Sequence, residues 1–197
     1  MTLKPCRADA GSCDRPRSTY NNHVEETFLS LLLADMETFM MPHKERPRVW
    51  MGARKRIALV AHDNKKDDLL EWAEHNIDIL RGNALIATGT TGRVVGERLG
   101  LEITRLQSGP LGGDQELGAR IAGGEVDVLI FFFDPLEAQP HDPDVRALLR
   151  IAAVWNIPVA TNRATADFLV SSPLMTGPYE RLLTDYYDYR TRLEPKD

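Results

Sequence analysis

The run VDVLIFFF at residues 126–133 decides the fold class of this chain. Seven of its eight residues are apolar, which is the composition of a central strand buried on both faces of a parallel sheet. Working outward from it, further short apolar or β-branched runs occur on both sides and are interpreted as strands. These runs are IALVA (57–61), ALIAT (84–88), LEITRL (101–106), PVAT (158–161) and, as a sixth candidate, RLLTDY (181–186).

The segments between these runs show helical periodicity. Two sets of apolar residues each fall on one helix face, one set before the central strand and one after it. Strands that alternate with helices indicate βαβ units, so the sequence predicts an α/β fold with a mainly parallel sheet covered on both faces. The two sets are Leu69, Ala73, Ile77 and Leu80, and Val145, Leu148, Leu149, Ala152 and Trp155.

The first 54 residues differ from the rest of the chain in composition and in residue pattern. Residues 1–22 carry few large apolar side chains, so we expect them to be mobile unless a partner holds them. Residues 24–41 have helical spacing, and two prolines follow them. The sequence therefore predicts an N-terminal extension over 1–54, with a helix at 24–41, and an α/β domain over 55–197. The helical spacing is that of Phe28, Leu32, Met36 and Phe39, and the prolines are Pro42 and Pro47.

Composition narrows the class of protein. The chain has 197 residues, 43% hydrophobic and 27% charged, which suits a globular domain with a real core. A formal charge of -5 argues against a general nucleic-acid binder. The apolar run Phe28–Ala34 is too short to span a bilayer, and we expect no signal peptide. Cys6 and Cys13 are expected to be free thiols in a reducing compartment, so we predict a cytoplasmic protein without membrane partners.

Metal and nucleotide cofactors are not expected. The stretches HDNKK (62–66) and PHDPD (140–144) lack the histidine and cysteine pairing of a zinc site. No GxGxxG motif follows the first strand, so a nucleotide cofactor is a weak alternative. We therefore predict no metal site and do not expect a nucleotide cofactor.

Polar and titratable residues cluster where the predicted strands end. Ligands of open α/β sheets bind beyond the carboxyl ends of the strands, so these clusters are expected to meet at one edge. Several carboxylates, two histidines and a glycine-rich loop together favour a catalytic site there. The clusters are His62-Asp63 with Lys66, Thr88–Gly92, Ser108–Asp114, Asp134, His141–Asp144 and Thr161-Asn162.

The loop Thr88–Gly92 has the chemistry of a phosphate cradle. Its glycines let the backbone approach an anion, its hydroxyls and amides donate hydrogen bonds, and a helix is expected to begin near Gly92. Lys66 at the mouth adds positive charge. The simpler interpretation is a plain strand-to-helix turn with a solvated lysine nearby.

Asp114 follows two glycines and a proline at the expected start of a helix. A carboxylate there often only caps the helix, but a general base needs the same rigid placement. His141 lies in a proline-flanked loop, where it is either positioned for chemistry or simply exposed. Asp63, Asp134 and Asp144 each have a structural interpretation as a cap or turn residue.

At these residues the chain resembles the methylglyoxal synthases over roughly residues 55–190. The matching segments include GPLGGDQ (109–115) and the run from FFDPL (132–136) through PHDPDV (140–145) to ALLR (147–150), which are not generic α/β features. The resemblance implies a Rossmann-like three-layer α/β/α catalytic domain, assembled as a homohexamer and using no cofactor. It also implies a lyase that turns dihydroxyacetone phosphate into methylglyoxal and inorganic phosphate, with phosphate as a potential inhibitor.

The resemblance also implies roles for individual residues. Asp114 matches the catalytic base, and His141 and Asp144 complete the expected catalytic set. Asp63 and Asp134 match acidic positions near the catalytic site. Contacts to the substrate are implied for His62, Lys66, Thr88, Gly89, Thr90, Thr91, Ser108, Gly109 and His141.

Two other functions stay open at this point. The same fold serves as an allosteric, ligand-sensing module in carbamoyl phosphate synthetases. Such a module needs an anion pocket but no base. A triose isomerase would share the enediolate chemistry but retain the phosphate. An intact GGDQ (112–115) and PHDPD (140–144) argue against the sensing module, and only the resemblance argues against the isomerase.

Overall fold

The computed structural model describes residues 46–136 and 142–186. Within these ranges the chain forms strands and helices in alternation, with two short 3₁₀ turns at Asp63–Lys65 and Gly109–Leu111. The strands are β1 (Arg48–Met51), β2 (Arg56–Ala61), β3 (Ala84–Ala87), β4 (Ile103–Arg105), β5 (Val128–Phe132), β6 (Val159–Ala160) and β7 (Tyr179–Leu182). The helices are α1 (Lys66–His75), α2 (Ile77–Arg81), α3 (Gly89–Leu99), α4 (Gly113–Ala122), α5 (Asp142–Val154), α6 (Arg163–Ser171) and α7 (Pro173–Thr176).

Five strands form a parallel sheet in the order β4-β3-β2-β5-β6. The central pair aligns Leu59 with Ile130 and Ala61 with Phe132. Every residue of β5 is buried, as expected for a strand covered on both faces. The α/β fold with a parallel sheet is therefore confirmed. Four of the five strands fall within their predicted runs, and β2 begins one residue earlier than predicted, at Arg56.

The sheet separates two apolar clusters. Successive residues of a strand point to opposite faces, and β2 accordingly sends Ile57 and Leu59 into one cluster and Ala58 and Val60 into the other. The first cluster includes side chains of α1 and α6, and the second includes side chains of α4 and α5. Three layers, helix on sheet on helix, follow from this arrangement, as the Rossmann-like expectation requires.

The first predicted helical face is divided between two helices. α1 ends at His75 and α2 begins at Ile77, with Asn76 between them. The Asn76 side chain donates a hydrogen bond to the Trp72 carbonyl, at 2.9 Å, and so covers an acceptor at the end of α1. The apolar positions continue across the break, because Leu80 of α2 is buried in the same cluster as Trp72.

A second, two-stranded sheet pairs β1 with β7 in antiparallel fashion. The sequence analysis did not predict β1, whose residues fell within the supposed extension. The sixth candidate strand, RLLTDY (181–186), is shifted toward the amino terminus, because β7 ends at Leu182 and residues 183–186 are irregular. Lys55 joins the two parts of this small sheet, since its buried Nζ donates to the carbonyls of Gly52 and Gly177 at 2.6 and 2.5 Å.

The predicted mobile segment 1–22 and the predicted helix 24–41 lie outside the described residues. Among the helices that are described, none is long and apolar enough to cross a membrane.

Candidate active site

A cavity of about 270 Å³ lies at the carboxyl edge of the parallel sheet. This is the edge at which open α/β sheets bind ligands. Its volume lies just below the roughly 300–1,000 Å³ typical of drug-sized ligands, so the cavity suits a small metabolite. It is lined by Val60, Ala61, His62, Asp63, Lys66, Thr88, Thr90, Thr91, Gly109, Pro110, Asp114 and Phe131.

The predicted anion cradle is the end of β3 followed by the first turn of α3. Thr88 is the N-cap residue, and α3 begins at Gly89 rather than near Gly92, where we had expected it. The earlier start places Thr90 and Thr91 in the first helical turn, where backbone N–H groups lack intrahelical acceptors and the helix dipole is positive. Thr88 and Thr91 are buried, with their hydroxyl oxygens 3.4 Å apart. This geometry suits an anionic group.

Two glycines of the cradle allow close packing. A Cβ atom on Gly89 would lie 3.1 Å from both the Leu106 carbonyl oxygen and the Ser108 nitrogen. A Cβ atom on Gly92 would lie 2.9 Å from Cγ of Arg105. A side chain would be crowded at both positions, because α3 packs directly against β4 and the loop that follows it.

His62 is held at the end of β2 by packing and by a backbone hydrogen bond. Its ring is nearly fully buried and meets Phe131 edge-on, with ring centroids 5.2 Å apart. Nδ1 accepts the N–H of Asp134, at 3.1 Å. A neutral imidazole that accepts at Nδ1 carries its proton on Nε2, so His62 is arranged as a hydrogen-bond donor at that atom.

Only one of two neighbouring lysines reaches the cavity. Lys66 lines it and forms an ion pair with the exposed carboxylate of Asp63. Lys65 instead pairs with Asp68 at 2.9 Å, and that hydrogen bond raises the pKa of Lys65. Both lysines follow the same strand, and the structure places Lys66, which was singled out from the sequence, at the cavity.

Asp114 lies in the first turn of α4, and its residue is only 4% exposed. The N-cap of this helix is Gly112, which has a positive φ of 95°. Asp114 is therefore not the N-cap residue of α4, because Gly112 occupies that position. A buried carboxylate that lines a polar cavity is what a general base requires.

The other candidate residues lie around the cavity or outside the described residues. Gly89 and Ser108 are next to lining residues, and Ser108 precedes the 3₁₀ turn that contains Gly109. Asp134 contacts His62 rather than the cavity. Asp144 is half-buried in the first turn of α5 and is not among the lining residues. His141 lies outside the described residues.

The structure places two further residues at the cavity and gives another candidate residue a structural role. Pro110 and Phe131 line the cavity but were not singled out from the sequence, although Pro110 belongs to the GPLGGDQ motif and Phe131 to the central strand. Asn162 follows β6 at the same edge, but its side chain accepts the Thr165 N–H at 3.0 Å and serves as a helix cap. Within residues 46–136 and 142–186, no cluster of three or more histidine, cysteine or acidic side chains could hold a metal ion.

Comparison with known proteins agrees with this geometry. The family model of the MGS-like domain matches residues 68–161. This range includes the cradle, Asp114 and the central strand β5. The fold and the cavity thus define the class of the chain as an MGS-like α/β domain.

More detailed similarity comes from whole proteins. A methylglyoxal synthase of Cellvibrio japonicus (strain Ueda107) is 58% identical over 152 residues, 77% of this chain and 97% of the relative. A methylglyoxal synthase of Proteus mirabilis (strain HI4320) is 58% identical over 139 residues, 71% of this chain and 91% of the relative. The crystal structure of methylglyoxal synthase from Elizabethkingia anophelis NUHP1 superposes with a TM-score of 0.73 at 51% identity, covering 77% of this chain and all of that one. The chain belongs to the methylglyoxal synthase family, which is a family of lyases.

Proposed function

We propose that this chain converts dihydroxyacetone phosphate into methylglyoxal and inorganic phosphate through an enediolate. The observation that carries the proposal is one cavity that combines a buried carboxylate, Asp114, with a helix N-terminus and a lysine suited to a phosphate group. A ligand-sensing module needs the anion site alone, so the buried carboxylate favours the enzyme.

Asp114 is proposed as the base. It removes a proton from the hydroxymethyl carbon next to the ketone of the substrate, which leaves an enediolate. Asp114 lies in the first turn of α4, directly after Gly112 and Gly113, so its backbone position is set by the start of the helix. A base positioned in this way typically contributes about 10²–10⁴-fold in rate.

Two histidines are proposed to face the oxygens of the enediolate. His62 donates from Nε2, because Nδ1 accepts the Asp134 amide. The family resemblance assigns the same task to His141, and Asp63, Asp134 and Asp144 match acidic positions near the catalytic site. Hydrogen bonds to an oxygen that gains charge in the transition state are worth about 10²–10³-fold each in rate.

The cradle is proposed to bind the phosphate and to set its direction. Thr88, Thr90 and Thr91 supply hydroxyl and amide donors, and Lys66 supplies a charge. Elimination requires the C–O bond to phosphate to stand perpendicular to the enediolate plane, so that its electrons enter the π system. A cradle that holds the phosphate out of this plane promotes loss of phosphate, whereas an isomerase must hold it in the plane. Catalysis here is therefore largely a matter of positioning.

Several wider properties belong to the same proposal. The chain is proposed to act in the cytoplasm as a homohexamer without metal or cofactor, with phosphate as product and inhibitor. The reaction would form a bypass of glycolysis, because it diverts a triose phosphate. Residues 1–54 are proposed as an extension and 55–197 as the catalytic domain, with β1 of the extension paired with β7 of that domain.

The Asp114→Asn variant tests the assignment of the base. Asparagine keeps the size of the side chain and one acceptor oxygen but cannot take the proton. We expect turnover to fall by about 10³-fold or more while binding of a non-reacting phosphate ester changes little. Binding is measured by calorimetry, and Asp68→Asn on the exposed side of α1 is the matched control. An Asp114→Asn enzyme with full activity would remove Asp114 from the chemistry.

A further inference from the structure

The backbone of Gln107 touches both halves of the proposed site. Its carbonyl oxygen accepts the N–H of Gly89, at 3.0 Å, in the anion cradle. The same oxygen lies against Gly113, the residue before Asp114, where an added Cβ would approach it to 2.1 Å. The Gln107 carbonyl therefore lies between the anion cradle and the start of the helix that carries Asp114.

The amide of Gln107 has its own partner on the helix of the base. Its N–H donates to Oε2 of Glu116, at 3.2 Å. Glu116 is two residues after Asp114 on α4, so this hydrogen bond ties the loop after β4 to the first turn of that helix. A bond to an ionised carboxylate is stronger than one between neutral groups.

Arg120 contacts the second oxygen of the Glu116 carboxylate. Oε1 lies 3.5 Å from Nη2 of Arg120, one helical turn further along α4. Nη1 of Arg120 contacts Glu125 at 3.0 Å. The carboxylate of Glu116 thus has one oxygen oriented by the helix and one oxygen available to the Gln107 amide.

We infer that Glu116 is a positioning residue for the proposed reaction, acting through the Gln107 backbone to set the separation between the anion cradle and Asp114. The inference deepens the proposed function and rests on it. Glu116 does not line the cavity, so its effect on the substrate is indirect. The simpler role of a first-turn glutamate is to stabilise the positive end of the helix dipole.

The two roles predict different kinetics. The cradle amide of Gly89 stays bonded to Gln107, so the cradle moves together with the loop when Glu116 is removed. Phosphate binding is then largely kept, while the substrate carbon shifts relative to Asp114. Because a displacement of about 1 Å can cost 10²-fold in rate, a partial shift should lower kcat by about 10-fold. The KM for dihydroxyacetone phosphate should change by less than about threefold.

The test compares Glu116→Ala with Glu116→Gln in the full chain. Glutamine keeps an acceptor oxygen for the Gln107 amide but loses the charge, so it should restore kcat to within about twofold of the native value. Glu97→Ala is the matched control, because the one ion pair of Glu97 within the described residues is an exposed pair with Arg93 on α3, at 3.8 Å. Hydrogen exchange of the peptide spanning residues 106–109 is measured in parallel and should accelerate in Glu116→Ala alone.

The outcomes separate this inference from the proposed function. If the native chain shows no turnover, the proposed function is wrong. Unchanged hydrogen exchange at residues 106–109 in Glu116→Ala would overturn the inference, whether or not the native chain turns over the substrate. Glu116→Ala with native kcat, or Glu116→Gln as impaired as Glu116→Ala, would also overturn it. A large fall in Tm, with kcat lowered and KM raised by similar factors, would assign Glu116 to helix stability instead.

Discussion

Replacing Gly113 by alanine should damage catalysis far more than such a change usually does. The new Cβ would lie 2.1 Å from the Gln107 carbonyl oxygen, which is backbone and cannot rotate away. A carbon and an oxygen approach each other to roughly 3.3 Å at closest, so α4 and the loop must separate by about 1.2 Å. Asp114 is the next residue and must move with the helix. A displacement of this size should lower kcat by about 100-fold.

Stability should also fall. An alanine inside a helix normally gains up to about 1 kcal/mol over glycine, but forced overpacking costs about 1–3 kcal/mol. We expect a net loss of about 1–2 kcal/mol, which lowers Tm by roughly 2–8 °C for a chain of this size. Tm is measured by calorimetry and kcat from steady-state release of phosphate.

Gly118→Ala on the same helix is the matched control. Its Cβ would meet only the flexible tip of Ile151, at 3.3 Å, so both activity and Tm should stay near the native values. Full activity and an unchanged Tm in Gly113→Ala would refute the claim that the contact between Gly113 and Gln107 sets the position of Asp114.

Two further predictions concern charged residues. Lys66→Ala removes the cation that lines the cavity, so the KM for dihydroxyacetone phosphate should rise about 10-fold or more. Tm should barely change, because the ion pair with exposed Asp63 adds little stability. An unchanged KM would remove Lys66 from the phosphate site. Arg181 is 1% exposed, and among the described residues its Nε and Nη1 have no hydrogen-bond acceptor, while burial lowers its pKa. Arg181→Met should therefore raise Tm by several degrees, through about 1–3 kcal/mol of relieved desolvation; a lower Tm in thermal unfolding would contradict this.

The sequence predicted the parts of the fold that depend on local pattern. The all-apolar run around Leu129 and the alternation of strands and helices were sufficient for the parallel sheet and for the edge that carries the cavity. β1 was missed because its four residues, Arg48–Met51, carry no distinctive pattern and become a strand only by pairing with β7, more than 120 residues away. The start of α3 was misplaced because Gly89, Thr90 and Thr91 have low helix propensity, which the tertiary packing overrides.

The candidate site was predictable to a similar degree. Residue type and position at a strand end pointed to His62, Lys66, Thr88 and Asp114, all of which line one cavity. The link through Gln107 was not predictable, because it consists of backbone atoms whose contacts depend on how the loop folds.

The central claim is that this cavity eliminates phosphate from an enediolate. Its most direct test is to incubate the purified full chain with dihydroxyacetone phosphate and to measure methylglyoxal, inorganic phosphate and glyceraldehyde 3-phosphate together. The account predicts methylglyoxal and phosphate in equal amounts, no glyceraldehyde 3-phosphate, and loss of both products in Asp114→Asn. Glyceraldehyde 3-phosphate without release of phosphate would contradict it and identify an isomerase, and binding without any turnover would identify a sensing module.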